Sequence, residues 1–214
     1  MEINGAIFDL DGTLLDSMGI WQTLGARYLR AKGLMPEAGL NEKLYPMSMP
    51  QAAEYFRSEY GLTLPVEMIV QENNHIVETF YQEEVALKEG ADVMLEGFKS
   101  RGVRMCIATA SERYLVEAAL KGLNIGRYFS GIVTCNEIGC GKDSPEVFRR
   151  ALTLLQTKRS DTIVFEDALH ALRTAKADGF FVAAIYDESE KTGLVQEEAD
   201  RYLRSWSEWE ELFK

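Results

Sequence analysis

Two aspartates, Asp9 and Asp11, stand one residue apart after the apolar stretch Ile3 to Phe8, broken only by Asn4. Such a stretch reads as a buried parallel strand, and open α/β sheets bind ligands outside the carboxyl ends of their strands. Three later stretches end in the same way. Thr109 closes the run from Val103, Lys142 follows Gly131 to Thr134, and Glu166-Asp167 ends Thr162 to Phe165. In a parallel sheet these ends share one edge. Several carboxylates with one lysine make a hard, oxygen-rich site that suits Mg2+. A carboxylate can attack phosphorus and form an aspartyl-phosphate. The attack requires the phosphate charge to be neutralised by a cation and an ammonium, with a hydroxyl and backbone N–H groups on the remaining oxygens. A second carboxylate can protonate the leaving oxygen and then deprotonate water.

Taken singly, each group has a plainer explanation. The aspartates could shape a turn, Thr109 could cap a strand end, and Lys142 could be a solvated surface lysine. Glu166-Asp167 could be an acid pair favoured by a helix dipole. Their joint arrangement is what points to chemistry.

The elements that would position these groups follow from periodicity. After Asp16 the pattern turns helical, with Ser17 able to cap and Ile20, Leu24, Tyr28 and Leu29 at helical spacing until Gly33. Further helices are expected over Gln51 to Tyr60 and from Pro65 to about Glu84. From Gly90 helices and strands alternate: helix Asp92 to Arg101, strand Val103 to Thr109, and helix Ser111 to Gly122 with Ser111 as N-cap. Strand Gly131 to Thr134, helix Pro145 to Leu155, strand Thr162 to Phe165, helix Ala168 to Asp178 and strand Phe180 to Ile185 follow. A short segment near Tyr202-Leu203 and a last helix from Ser207 close the chain. Alternation of this kind implies a doubly wound parallel α/β sheet. The expected organisation is a discontinuous α/β core, residues 1–16 and 85–214, with a helical cap inserted at 17–84.

Composition limits the partners. The 214 residues are 46% hydrophobic and 27% charged, with a formal net charge of −11. That balance argues against nucleic acid and anionic membrane surfaces, though a bound cation would reverse the local field for a phosphorylated substrate. Cys106 reads as core; Cys135 and Cys140 lie near strand ends without zinc spacing. No apolar run reaches the ~18 residues of a membrane span, and no targeting signal is evident. The expectation is a cytoplasmic monomer acting on a small phosphorylated metabolite.

Asp9-Leu10-Asp11-Gly12-Thr13-Leu14 resembles the first motif of the haloacid dehalogenase superfamily. Thr109 fits its second motif, Gly141 to Phe148 its third, and Val164-Phe165-Glu166-Asp167 its fourth. Order and spacing agree along essentially the whole chain, including the helical insertion after strand one. The resemblance implies a Rossmann-like sheet with an inserted helical cap and these roles. Asp9 would be nucleophile and metal ligand, and Asp11 the acid/base with its backbone carbonyl on the metal. Thr109 and the N–H of Ala110 would bind the phosphoryl group, and Lys142 would bridge it to Asp9. Asp167 would ligate Mg2+, with Glu166 a ligand directly or through water. Gly12 marks the bend into the cap linker. Three positions depart from the usual pattern: Asp143 stands for proline, Ala168 for serine and Ala171 for glycine. No catalytic group is lost by them.

The pattern is nearest the β-phosphoglucomutase-like group, which contains phosphatases and a mutase. Thr13 is the usual phosphatase residue where the mutase has valine. Trp21 stands where the mutase cap has histidine, and Met47-Ser48-Met49 lacks its arginine. The expected activity is therefore Mg2+-dependent hydrolysis of a phosphomonoester, with a phosphomutase as the alternative and a non-catalytic binding module behind it. Dehalogenase and phosphonatase readings are disfavoured by the presence of Asp11. In the cap, Met18, Trp21, Tyr45, Met47 and Met49 are candidates to line a substrate pocket. His75 and His170 are expected to be structural, and Trp206 and Trp209 to pack the last helix on the sheet.

Overall fold

The computed structural model describes residues 2–44, 47 and 49–214. The chain divides into two compact units, 1–16 with 85–214, and 17–84.

In the first unit, β1 (Gly5–Phe8) leads into a tight loop and the two-residue β2 (Leu15–Asp16), where the chain leaves the unit. In the second unit, α1 (Met18–Ala31), α2 (Leu40–Leu44), α3 (Met49–Tyr60) and α4 (Val66–Thr79) are followed by a π-helical turn at Phe80–Glu84. The apolar faces of these helices meet in a core containing Tyr28, Leu29, Phe56 and Ile69. Gly25 faces Leu44 so closely that a Cβ would collide with it, which explains glycine within a helix. Ser17 occupies the N-cap of α1 without a side-chain cap hydrogen bond, so the expected cap does not form.

The chain returns through β3 (Ala86–Leu87), antiparallel to β2. Then come α5 (Ala91–Ser100), β4 (Arg104–Thr109), α6 (Arg113–Gly122), β5 (Phe129–Thr134) and the short α7 (Cys135–Ile138). Next are α8 (Glu146–Leu155), β6 (Thr162–Glu166), α9 (Leu169–Ala177), β7 (Phe181–Ile185), α10 (Leu194–Glu198) and β8 (Arg201–Leu203). The last element, Trp206–Phe213, is a helix of the 3-10 type that begins one residue before the expected Ser207. Six strands form one sheet in the order β5-β4-β1-β6-β7-β8, with each neighbouring pair parallel. This is the doubly wound α/β class that the alternating pattern implies. Among the described residues no helix is long and apolar enough to cross a membrane.

Burial accounts for the sequence of the central strands. β1 lies between β4 and β6 and is buried along its length, so it carries no polar alternation. The register places Phe8 opposite Phe165, and their rings stack at 4.8 Å. Phe98 and the fully buried Trp206 complete this aromatic cluster. Because Phe8 and Phe165 immediately precede Asp9 and Glu166, the cluster fixes the height at which the acids leave the sheet.

Candidate active site

The first acid follows directly from strand pairing. Asp9 N–H donates to the Phe165 carbonyl at 3.0 Å, continuing the β1–β6 ladder one residue past β1. The loop then folds back on itself: Leu14 N–H and Leu15 N–H both donate to the Leu10 carbonyl, and Gly12 N–H donates to the Leu15 carbonyl. Gly12 has φ +78°, and a Cβ there would run into the Asp167 carboxylate. Glycine is thus required twice, for the left-handed backbone and for the close approach of an acid from another strand.

At the carboxyl ends of β1 and β6, carboxylate oxygens of Asp9, Glu166 and Asp167 lie within 4.8 Å of one another, and all three residues are buried. Lys142, itself only 6% exposed, donates from Nζ to both Asp9 Oδ1 and Glu166 Oε1. Three carboxyl groups thus face one ammonium inside the protein. Burial, opposed by Lys142 but reinforced by Glu166 and Asp167, pushes the Asp9 carboxyl well above its ordinary value. Burial and then the neighbouring Glu166 push Asp167 up to about 7. For Lys142, burial alone would lower the ammonium, but Asp9 and Glu166 hold it above its ordinary range. The donor set is all oxygen, tightly grouped and short of positive charge, so its chemistry fits a hard divalent cation such as Mg2+.

Asp11 stands apart from that trio. Its Oδ2 accepts a hydrogen bond from Ser111 Oγ at 2.5 Å. Ser111 is therefore not the cap of α6, whose N-cap is Glu112 in extended conformation. Its hydroxyl is engaged by the acid instead. Thr109, the last residue of β4, is buried, and its Oγ1 accepts the Ser111 N–H at 3.0 Å. Ala110, next to it, is exposed. Parallel pairing of β1 with both β4 and β6 thus gathers Asp9, Thr109, Glu166 and Asp167 at one edge, with Lys142 and Ser111 brought in by the loops.

Thr13 does more than space the motif. It is fully buried and donates from Oγ1 to Asp167 Oδ1 at 2.7 Å. A hydroxyl four residues before the helical insertion carries no sequence signal for such a partner 154 positions away. Asp187, after β7, is also buried, and Lys88 pairs with it at 2.7 Å. Burial would raise the Asp187 carboxyl, but Lys88 and Ser189 hold it below its ordinary value. Among the departures, Ala168 N–H donates to Glu166 Oε2 at 3.4 Å and Ala171 is buried core, whereas Asp143 is exposed.

The candidates in the helical unit sit as follows. Met18 and Trp21 lie on α1 and Met47 between α2 and α3; Trp21 is 39% exposed, Met18 and Met47 are half-buried. Tyr45 and Ser48 lie outside the described residues. A cavity of about 370 Å³ within this unit is lined by Tyr28, Lys32, Met68 and Glu72 among others, and not by Met18, Trp21 or Met47. His75 and His170 are both exposed.

A profile of haloacid dehalogenase-like hydrolases matches residues 6–185. The chain is 26% identical over 204 residues to validoxylamine A 7'-phosphate phosphatase of Streptomyces hygroscopicus, covering 95% of this chain and 94% of that protein. It is 27% identical over 202 residues to the bifunctional riboflavin kinase/FMN phosphatase of Arabidopsis thaliana. That match covers 93% of this chain and 52% of the plant protein, so the chain spans about half of that relative's length. Among solved structures, a Thermotoga maritima protein described as a candidate beta-phosphoglucomutase superposes with a TM-score of 0.84 at 21% identity, covering 100% of this chain and 98% of the other. This last likeness concerns the fold.

Proposed function

Because the chain belongs to the haloacid dehalogenase-like hydrolase family, we propose that it is a Mg2+-dependent phosphatase acting on a small phosphorylated metabolite through an aspartyl-phosphate. The observation that carries this reading is the buried cluster of Asp9, Glu166 and Asp167 with Lys142 across it. Phosphatases among the relatives, one for FMN and one for validoxylamine A 7'-phosphate, support the substrate class.

The roles follow from the chemistry of each group. A divalent cation held by Asp9, Glu166 and Asp167, with the Asp11 carbonyl, would supply charge neutralisation for the incoming phosphate. Lys142 holds the Asp9 carboxylate in place and adds a second positive charge beside the phosphoryl group. Thr109, whose Oγ1 already accepts the Ser111 N–H, keeps its O–H proton to donate to a phosphate oxygen, next to the Ala110 N–H. Asp9 attacks phosphorus, the P–O ester bond breaks, and the leaving oxygen takes a proton from Asp11. Asp11 then takes a proton from water, which attacks the phosphoryl group and returns Asp9 as a carboxylate. Ser111 keeps Asp11 oriented through both transfers. The helical unit, 17–84, is read as a cap that selects the leaving group, with Met18, Trp21 and Met47 as its candidate contacts.

The test is phosphate release from a panel of sugar phosphates, phosphoglycolate, flavin mononucleotide and nucleotides. Release that requires Mg2+, stops with EDTA and is lost in Asp9→Asn supports the reading. Full activity in EDTA would remove the metal role. Following a β-hexose 1-phosphate by phosphorus NMR separates the alternative, since isomerisation outpacing phosphate release would make the protein a mutase.

A further inference from the structure

Trp206 begins the C-terminal 3-10 helix and is fully buried, yet its indole has a polar partner inside the active-site loop. Nε1–H donates to the Thr13 carbonyl at 3.0 Å. Thr13 in turn donates through Oγ1 to Asp167 Oδ1 at 2.7 Å. The ring lies 5.0 Å from Phe165 and 5.7 Å from Phe8, the residues beneath Glu166 and Asp9. Trp206 N–H also donates to the Glu89 carbonyl, and Gly90 lies against the Ser207 backbone with no room for a Cβ. One side chain thus touches a support of each of the three carboxylates. We infer that Trp206 is a positioning residue that sets the divalent-cation affinity of the Asp9–Glu166–Asp167 cluster, acting through Thr13. The inference rests on the reading of that cluster as a cation site.

A neutral indole–carbonyl bond is worth little to stability in itself. Its value here lies in fixing the loop so that the Thr13 hydroxyl meets Asp167. Phenylalanine keeps an aromatic ring in the place that faces Phe8 and Phe165 but removes the donor together with part of the buried indole volume, so Trp206→Phe is read against a second variant that loses packing alone. Trp209, on the same 3-10 helix, packs edge-on against Phe98 and fills the space over Gly97. Trp209→Phe is therefore the control for loss of packing alone.

The readout is Mn2+ binding to the full chain, followed by the electron paramagnetic resonance signal of free Mn2+. Trp206→Phe is expected to raise the dissociation constant by about threefold to tenfold. Thr13→Val should raise it at least as much, and the double variant should be no weaker than Thr13→Val, since the two act in series. Trp209→Phe should lower the melting temperature and leave the constant within about twofold. A second measurement needs no variant at position 206. In protein with 15N-labelled indoles, the Trp206 signal, assigned by elimination with Trp21→Phe and Trp209→Phe, should move on Mg2+ addition more than that of Trp209. A folded Trp206→Phe with the wild-type constant, or an unmoved Trp206 signal, overturns the inference. A wild type that binds no Mn2+ overturns it together with the reading of the cluster. Mn2+ binding without hydrolysis of any phosphomonoester would overturn only the proposed activity.

Discussion

Lys142→Met removes the cation that spans Asp9 and Glu166 and leaves a side chain of similar length in its place. The lysine is 6% exposed and Glu166 fully buried, so solvent does little to screen the charges left behind. Breaking a buried ion pair by deleting one partner costs about 3–5 kcal/mol. Against a typical domain stability of about 5–15 kcal/mol, that is a large fraction. For a chain of this size about 2–4 °C accompanies each kcal/mol, so a fall of about 6–20 °C is expected in EDTA at about pH 8. The penalty arises from ionised carboxylates and should shrink as they protonate, Asp167 at about 7 and Asp9 also well above its ordinary range. At about pH 5.5 the gap between variant and wild type should narrow to less than half. The assay is a pair of thermal melts at the two pH values. A loss below about 2 °C, or one independent of pH, would refute the picture of a charge-starved cluster held by one lysine.

Further outcomes follow from the same geometry. Gly12→Ala forces a left-handed backbone on alanine, worth about 1–2 kcal/mol, and drives a methyl into Asp167; melting temperature and Mn2+ affinity should both fall, and wild-type values for both would contradict the contact. In metal-free wild type, the raised Asp167 and Asp9 carboxyls favour the folded state while protonated. That contribution is present below their ordinary values near 3.8 and lost as pH rises through about 7. Thermal melts in EDTA should therefore show stability falling between about pH 5 and about pH 8, with Mg2+ restoring most at the high end; a flat profile unaffected by Mg2+ would contradict it. Ser111→Ala should lower kcat about tenfold with KM little changed, because the bond that orients the acid/base Asp11 is removed; steady-state kinetics showing the loss in KM alone would place Ser111 in substrate binding instead.

The sheet and its acidic edge were legible in the sequence because they rest on long, strongly patterned runs. Ile3 to Phe8, Val103 to Thr109 and Thr162 to Phe165 are buried apart from Asn4 and Arg104, and each ends at or immediately before the residue that matters. What escaped was of two kinds. Leu15–Asp16 and Ala86–Leu87 are too short to carry any periodicity, as are α2, α7 and α10. The other kind is a side chain whose partner is set by tertiary structure. Ser111 has the residue type and place of a helix cap, yet Asp11 claims its hydroxyl. Thr13 and Trp206 are joined to the site by hydrogen bonds spanning 154 and 193 positions. Packing the last helix on the sheet accounts for the burial of Trp206 but not for its donor.

The central claim is that Asp9 carries the phosphoryl group between substrate and water. Acid quench of wild type during turnover of a good substrate with Mg2+, followed by peptide mass spectrometry, addresses it directly. The account predicts a phosphoryl adduct on Asp9, labile to hydroxylamine as an acyl phosphate is, and no adduct in Asp9→Asn. Rapid phosphate release with Asp9 never modified, and retained by Asp9→Asn, would contradict it.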